Sequence, residues 1–167
     1  IYDNIKPLKN TLKKLRVLNR SLSRKVKGSK NSNKAKVKLS KLHYRVACVR
    51  SDYLHKVTSA LVRENDVITI EDLNVSGMVK NRKLARSISD ASFSMFKFML
   101  EYKCAENNVI LIKADRFFPS TKTCSKCGSK QDMELSDRVY SCKKCGLVID
   151  RDLNAAINLN NYGKQYI

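Results

Sequence analysis

For 48 consecutive residues, between Asp3 and Asp52, this sequence has no acidic side chain, although the same stretch carries 16 lysines and arginines. A solvated helix normally mixes both signs, because like charges at helical spacing repel. An acid-free run of this length needs an external polyanion to be favourable, and nucleic acid is the one that fits. The stretch also lacks Trp and Phe, which argues against a helix lying on a membrane surface. Nowhere in the 167 residues is there an apolar run long enough for a membrane span. No segment resembles a signal peptide, and there is no internal repeat. The expectation is a cytoplasmic protein with no membrane partner.

What is present is unevenly distributed. The net charge is +19, yet from Val67 onward 16 basic residues face 11 acidic ones, a balance of 16 − 11 = +5. A polycationic N-terminal third is joined to a nearly neutral remainder. Hydrophobic content of 43% suffices for a core.

Four of the six cysteines form two pairs, Cys124-Ser125-Lys126-Cys127-Gly128 and Cys142-Lys143-Lys144-Cys145-Gly146, separated by 14 residues. A CxxC turn delivers two thiolates from one knuckle, and the glycine after it lets the backbone curl toward the sulfurs. Two knuckles joined by a short hairpin make a zinc ribbon, with Cys124, Cys127, Cys142 and Cys145 as ligands. Paired disulfides or a redox centre are the alternatives, but redox CxxC motifs usually come singly and disulfide-dense chains are usually small and secreted. Cys48 and Cys104 sit in helical patterns and read as buried thiols.

Leu8, Leu12, Leu15, Leu18 and Leu22 make one apolar helical stripe, with Pro7 in its first turn. The turn formers of 28–33 end it. A second helix carries Leu39, Leu42, Val46, Val49, Tyr53, Val57 and Leu61 on one face, and the two together predict a basic helical hairpin. Val67–Glu71 and 109–112 read as buried strands. A third helix is expected from about Ser89, with Phe93, Phe96, Leu100 and Cys104 on one side. A fourth begins near 150–152. The alternation argues α/β, with the ribbon inserted between the second strand and the last helix.

Two acids stand at unusual places. Glu71 ends an apolar strand, at the edge where open α/β sheets bind ligands. Asp152 opens a helix. Each has a plain reading too, a solvent-exposed strand end and a helix N-cap.

Ile70-Glu71-Asp72-Leu73-Asn74-Val75 resembles the second acidic motif of RuvC-like nucleases, and Asp150-Arg151-Asp152-Leu153-Asn154-Ala155-Ala156 resembles the third. The run from Asp115 through Pro119 to Cys124 looks like the approach to their zinc ribbon. In order and spacing the chain is similar, over essentially its whole length, to the OrfB/TnpB proteins of small bacterial transposons. The basic block of Arg20, Arg24, Lys25, Lys27, Lys30 and Lys34 fits that family as well.

The resemblance implies an RNase H-like (RuvC-like) fold and a Mg²⁺-dependent endonuclease lineage guided by RNA on DNA. It casts Glu71 and Asp152 as two of three catalytic carboxylates, with Asp150 the alternative to Asp152 and no role for Asp115. It divides the chain into a hairpin following an edge strand (1–66), core strands and helix (67–119), ribbon (120–149) and C-terminal helix (150–167). The first aspartate, in an Asp-x-Gly context, has no counterpart, and Asp3 lacks that context. The RNase H-like domain is thus expected to be incomplete and inactive alone: either the chain is a truncated or decayed gene product, or an upstream segment completes it. The alternative is a non-catalytic zinc-ribbon protein of the same descent that binds DNA or RNA.

Overall fold

The computed structural model describes residues 2, 4–134 and 136–167. The edge strand expected over 1–4 falls partly on Ile1 and Asp3, which lie outside the described residues. The elements run α1 (Pro7–Ser23), α2 (Lys30–Glu64), β1 (Val67–Glu71), α3 (Val75–Met78), α4 (Ala85–Ala91), α5 (Phe93–Glu106), β2 (Ile110–Ala114), β3 (Val139–Ser141), β4 (Val148–Asp150) and α6 (Arg151–Gly163), with a short 3₁₀ turn at Lys164–Tyr166. None of these helices is long and apolar enough to cross a membrane. The chain divides into two compact units, Ile1–Ala60 with Val75–Leu100, and Leu61–Asn74 with Glu101–Ile167.

The first unit is helical. Pro7 occupies the first helical position of α1, where its missing N–H costs nothing. Its N-cap residue is Lys6, in left-handed conformation at φ 45°, and no side chain of its own turn caps the helix. The cap comes from far away in sequence. Asp90 of α4 accepts the Leu8 and Lys9 backbone N–H groups, each at 3.0 Å. The same carboxylate accepts from the Arg50 guanidinium of α2 at 3.0 Å, and the Asp90 carbonyl accepts from Arg50 Nε. One buried aspartate thus fastens three helices.

Two helices differ from the sequence expectation. α2 buries Leu42, Val46, Leu54, Val57 and Val62, whereas Val49 is exposed; over 35 residues the buried stripe drifts around a helix of 3.6-residue period. The single helix expected from Ser89 is two, broken at Ser92, which adopts φ 55°, ψ 46°. The Ser92 N–H bonds to the Ile88 carbonyl and its hydroxyl to that of Ser89, so α4 is closed locally before α5 starts. In α5 the buried residues are Met99, Leu100, Lys103 and Cys104, and Phe93 is exposed.

In the second unit β1 and β2 pair in parallel, Val67 opposite Ile110 through Glu71 opposite Ala114. Helix α6 lies on this pair. Its Gly163 approaches β1 so closely that a Cβ there would run into the Thr69 side chain, which fixes glycine at this crossing. After β2 come the ribbon and its antiparallel β3–β4 hairpin.

Replacing Asp90 with Asn removes the charge that these donors share and should cost about 1–3 kcal/mol at neutral pH. Burial alone raises the Asp90 pKa, but the Lys9 and Leu8 N–H groups and Arg50 outweigh it and hold the carboxyl below its ordinary 3.8. A depressed folded pKa adds stability that is complete above the ordinary value and lost as pH falls through the lower one. Denaturant unfolding should therefore show the gap between wild type and Asp90→Asn closing below about pH 4. A gap unchanged at pH 3 would mean that Asp90 acts by packing alone.

Candidate functional site

The ribbon is two copies of one local structure. The first knuckle tops a turn closed by the Thr123–Lys130 bridge, and the second tops the β3–β4 hairpin. In each, the glycine after the second cysteine is left-handed, Gly128 at φ 71° and Gly146 at φ 70°. Its N–H returns to the carbonyl of the first cysteine at 2.9 and 3.0 Å. Each knuckle therefore tops its own hairpin, rather than one hairpin linking the two. The four Sγ atoms lie within 4.8 Å of one another, with Cys124–Cys145 and Cys127–Cys142 at 3.6 Å.

No disulfide joins any of the six cysteines, which removes the paired-disulfide reading. Cys104 is buried as expected, but Cys48 is exposed on α2. The two sulfurs of the second knuckle are shifted in opposite directions. Hydrogen bonds from the Ser129 hydroxyl and from backbone N–H groups bring Cys142 down to about 5. The Leu147 N–H favours the Cys145 thiolate, yet burial and the neighbouring sulfurs push that thiol up to about 12. Four thiolates at this spacing repel unless a cation sits among them. As a donor set, four convergent sulfurs fit a soft, tetrahedral metal ion, and they could hold one. Tyr140, wholly buried, forms the floor with Met133, Leu147 and Ile149.

A second site lies at the C-terminal edge of the β1–β2 pair, the edge at which parallel sheets bind ligands. There a cleft of about 380 Å³ is lined by Glu71, Asp72, Asp115, Arg116, Phe118 and Ser120, among others. Glu71 accepts a 2.7 Å hydrogen bond from the Ser120 hydroxyl. Asp72 is engaged by the Arg116 guanidinium at 2.8 Å, and Asp115 by the Phe117 N–H at 2.8 Å. Of the two acids expected to be catalytic, only Glu71 lines the cleft. Asp152 lies in the first turn of α6, its side chain 72% exposed and 3.4 Å from the Arg151 guanidinium. The N-cap is Asp150, which accepts from the Asp152 and Leu153 N–H groups, so Asp152 is not a cap.

Two asparagines that sequence reasoning passed over complete the site. Asn154 and Asn158 stand one turn apart on the buried face of α6. The Asn158 amide donates to the Ser120 and Thr123 carbonyls at 2.8 and 2.7 Å. That of Asn154 donates to Thr123 O at 2.7 Å and accepts from Ser125 N at 2.9 Å. They fix both the serine that faces Glu71 and the first knuckle. The available signal was an Asn-x₃-Asn pair on the apolar side of an alanine-rich helix.

The six basic residues singled out from the sequence, Arg20, Arg24, Lys25, Lys27, Lys30 and Lys34, are all exposed. They cluster at the end of α1, in the turn, and in the first turns of α2. The first turn of α2 contains no acid, so the positive end of its dipole adds to their field.

Residues 1–82 match the family model described as "Probable transposase", of the OrfB group. Residues 93–159 match that described as "Cas12f1-like, TNB domain". A Streptomyces pristinaespiralis protein named "Putative RNA-guided DNA endonuclease" is 48% identical over 84% of this chain and 35% of its own length. A Mycobacterium tuberculosis protein named "Putative RNA-guided DNA endonuclease MT2953" is 37% identical over 95% of this chain and 36% of its own. The chain thus spans about a third of the length of these curated relatives. In fold it matches a chain of the "Cryo-EM structure of the Cas12f1-sgRNA-target DNA complex", with TM-score 0.63 and 18% identity, over 92% of this chain and 41% of that one.

Cobalt(II) added to metal-free protein should bind at one equivalent, with the charge-transfer and d–d bands of a tetrahedral tetrathiolate. Since binding orders the ribbon by on the order of 10 kcal/mol, Cys124→Ser should abolish those bands. It should also expose the amides of 123–149 to rapid exchange while α1 and α2 stay protected. Intact ribbon protection in metal-free protein would show that the knuckles hold without an ion.

Proposed function

The chain belongs to the OrfB/TnpB family, and we propose that it is the nucleic-acid-binding C-terminal part of a transposon-encoded, RNA-guided DNA endonuclease. The observation that carries this reading is Glu71, at the C-terminal end of a parallel strand and open to a cleft beside it. The names of the relatives support the activity, and the exposed basic turn supports polyanion binding. Among the described residues β1 and β2 pair only with each other. Such open edges suit an RNase H-like sheet that takes further strands from a preceding segment.

In this reading residues 1–66 grip phosphates, 67–119 form the RuvC-like core, 120–149 the ribbon, and 150–167 the helix with the third acid. Zinc is the metal of the four cysteines, in a closed site with no open position for substrate, so its role is structural. Glu71 and Asp152 are assigned to Mg²⁺, whose preferred donors are carboxylate oxygens. Held by a complete carboxylate set, Mg²⁺ activates water and stabilises the leaving oxygen of a phosphodiester. Among the described residues the only group of three or more potential ligands is the cysteine cluster. The described acids therefore do not make that set alone, and no hydrolytic step is assigned to them without a further aspartate. What the chain's residues do is hold Glu71 in place through Ser120 and engage Arg116 on Asp72. The exposed Asp152–Arg151 pair favours a second reading, a zinc-ribbon protein that binds DNA or RNA without cutting.

Two experiments bear on this. DNA affinity should fall by roughly 10³–10⁵-fold between about 50 and 200 mM salt if six to ten phosphates are contacted. Reversing Arg24, Lys25, Lys27 and Lys30 to Glu should flatten that dependence; an unchanged slope would place the contact surface elsewhere. Supplying the preceding segment of a relative in trans, with guide RNA, should produce Mg²⁺-dependent cleavage. Glu71→Gln and Asp152→Asn should each lower it by more than the roughly 10–100-fold typical of outer-shell metal partners. A folded reconstituted complex that binds DNA but never cuts would favour the second reading.

A further inference from the structure

Phe117 is 87% exposed, more than any other large hydrophobic side chain described here. A single exposed apolar residue is ordinary. What sets this one apart is how firmly its backbone is held. The Phe117 N–H donates to the Asp115 carboxylate at 2.8 Å, and the Phe118 N–H to the Asp115 carbonyl at 3.0 Å. The Asp115 N–H in turn donates to the Tyr162 hydroxyl at 3.3 Å. On one side Arg116 is clamped to Asp72, through both its carboxylate and its carbonyl. On the other, Phe118 packs on the Tyr162 ring with centroids 4.8 Å apart, and Ser120 N bonds back to Phe118 O at 2.8 Å. The neighbours on both sides, Arg116 and Phe118, line the acidic cleft beside Glu71. The chain thus fixes a short loop by these contacts and leaves one bare ring on it.

We infer that Phe117 is a stacking platform for one nucleobase of a single-stranded polynucleotide whose backbone runs past the Glu71 cleft. This rests on the nucleic-acid reading proposed above and adds to it a positioning residue. Every base has a π-face, so a ring presented this way engages single strands without regard to sequence. A duplex, whose bases are already stacked, offers the ring nothing comparable. Phe has only two side-chain torsions to fix, so little freedom is lost on stacking. The loop is already ordered, so its placement needs no further change.

The test is equilibrium binding of the zinc-loaded full chain to single-stranded DNA and RNA oligonucleotides without Mg²⁺, each carrying 2-aminopurine at successive positions. Duplexes of the same sequence serve as comparison. Stacking on Phe117 should quench one position strongly. Phe117→Ala and Phe117→Leu should each remove that quench and weaken single-strand binding by about 5- to 100-fold, the value of one stacked base. Phe117→Trp should restore both, and duplex affinity should not change. An abasic residue at the quenched position should erase the difference between wild type and Phe117→Ala. Which strand type shows the quench identifies DNA or RNA as the source of the base. Because the ring is exposed, fold and metal content should be the same in all variants. Wild-type binding with no loss in Phe117→Ala overturns the inference and leaves the nucleic-acid reading standing. Loss in Phe117→Ala but not in Phe117→Leu also overturns it, because an aliphatic contact would then suffice. Failure of the wild-type chain to bind any single strand overturns both.

Discussion

Two side-chain amides hold the second unit of this protein in register. A buried amide must find partners for its N–H groups and its oxygen or forfeit their hydration. Asn154 and Asn158 find theirs on the segment that follows β2, between Ser120 and Ser125. That segment leads into the first knuckle, and Ser120 is the residue that faces Glu71. The helix carrying the amides is itself seated on β1, where only a glycine allows the approach of Gly163 to Thr69. Strand, helix, cleft wall and ribbon are therefore fixed by one short chain of contacts. Among the described residues no buried side-chain polar atom lacks a partner, so the whole arrangement is chemically satisfied.

The two long helices treat their N-termini in opposite ways. In α1 the exposed amides and the positive end of the dipole meet a carboxylate, Asp90. In α2 no acid stands in the first turn; Lys30 and Lys34 are there instead. By the dipole argument alone basic residues at that end are unfavourable. A local rule broken on a surface, next to a turn carrying further cations, marks a place where the stabilising anion is not part of the protein. The cleft shows the reverse economy of charge. Asp72 is held by the Arg116 guanidinium, whereas Glu71 and Asp115 each accept one hydrogen bond, from the Ser120 hydroxyl and the Phe117 N–H, and both keep acceptor capacity.

Much of this was legible in the sequence because it rests on local chemistry. The run of β-branched residues ending in Glu71 is β1 to the residue, Pro7 begins α1, and the two CxxCG knuckles have the conformation their glycines require. Interactions between distant segments left no such trace. Nothing in Ser89-Asp90-Ala91 announces that the aspartate caps a helix 82 residues earlier. The break at Ser92 is equally silent, because serine is no specialist in left-handed backbone and its stabilising bonds run back into its own helix. The buried face of α2 was misjudged around Val49, since a stripe read in steps of three and four from Leu39 to Leu61 drifts around a helix of 3.6-residue period. At the C-terminal helix, two aspartates separated by one residue were hard to assign by pattern. The geometry makes Asp150 the cap and frees Asp152.

The remote cap on α1 has a temporal side. Leu8 and Asp90 are separated by 82 residues, and ribosomes add about 5–20 residues per second. Helix α1 therefore spends roughly 4 to 16 seconds of its own synthesis with its first amides answered only by water. Over that time the nascent chain is a strongly cationic, loosely started helix in a cell full of polyanions. The helix reaches its finished form only when α4 has emerged, which makes the maturation of the basic segment an event timed by translation.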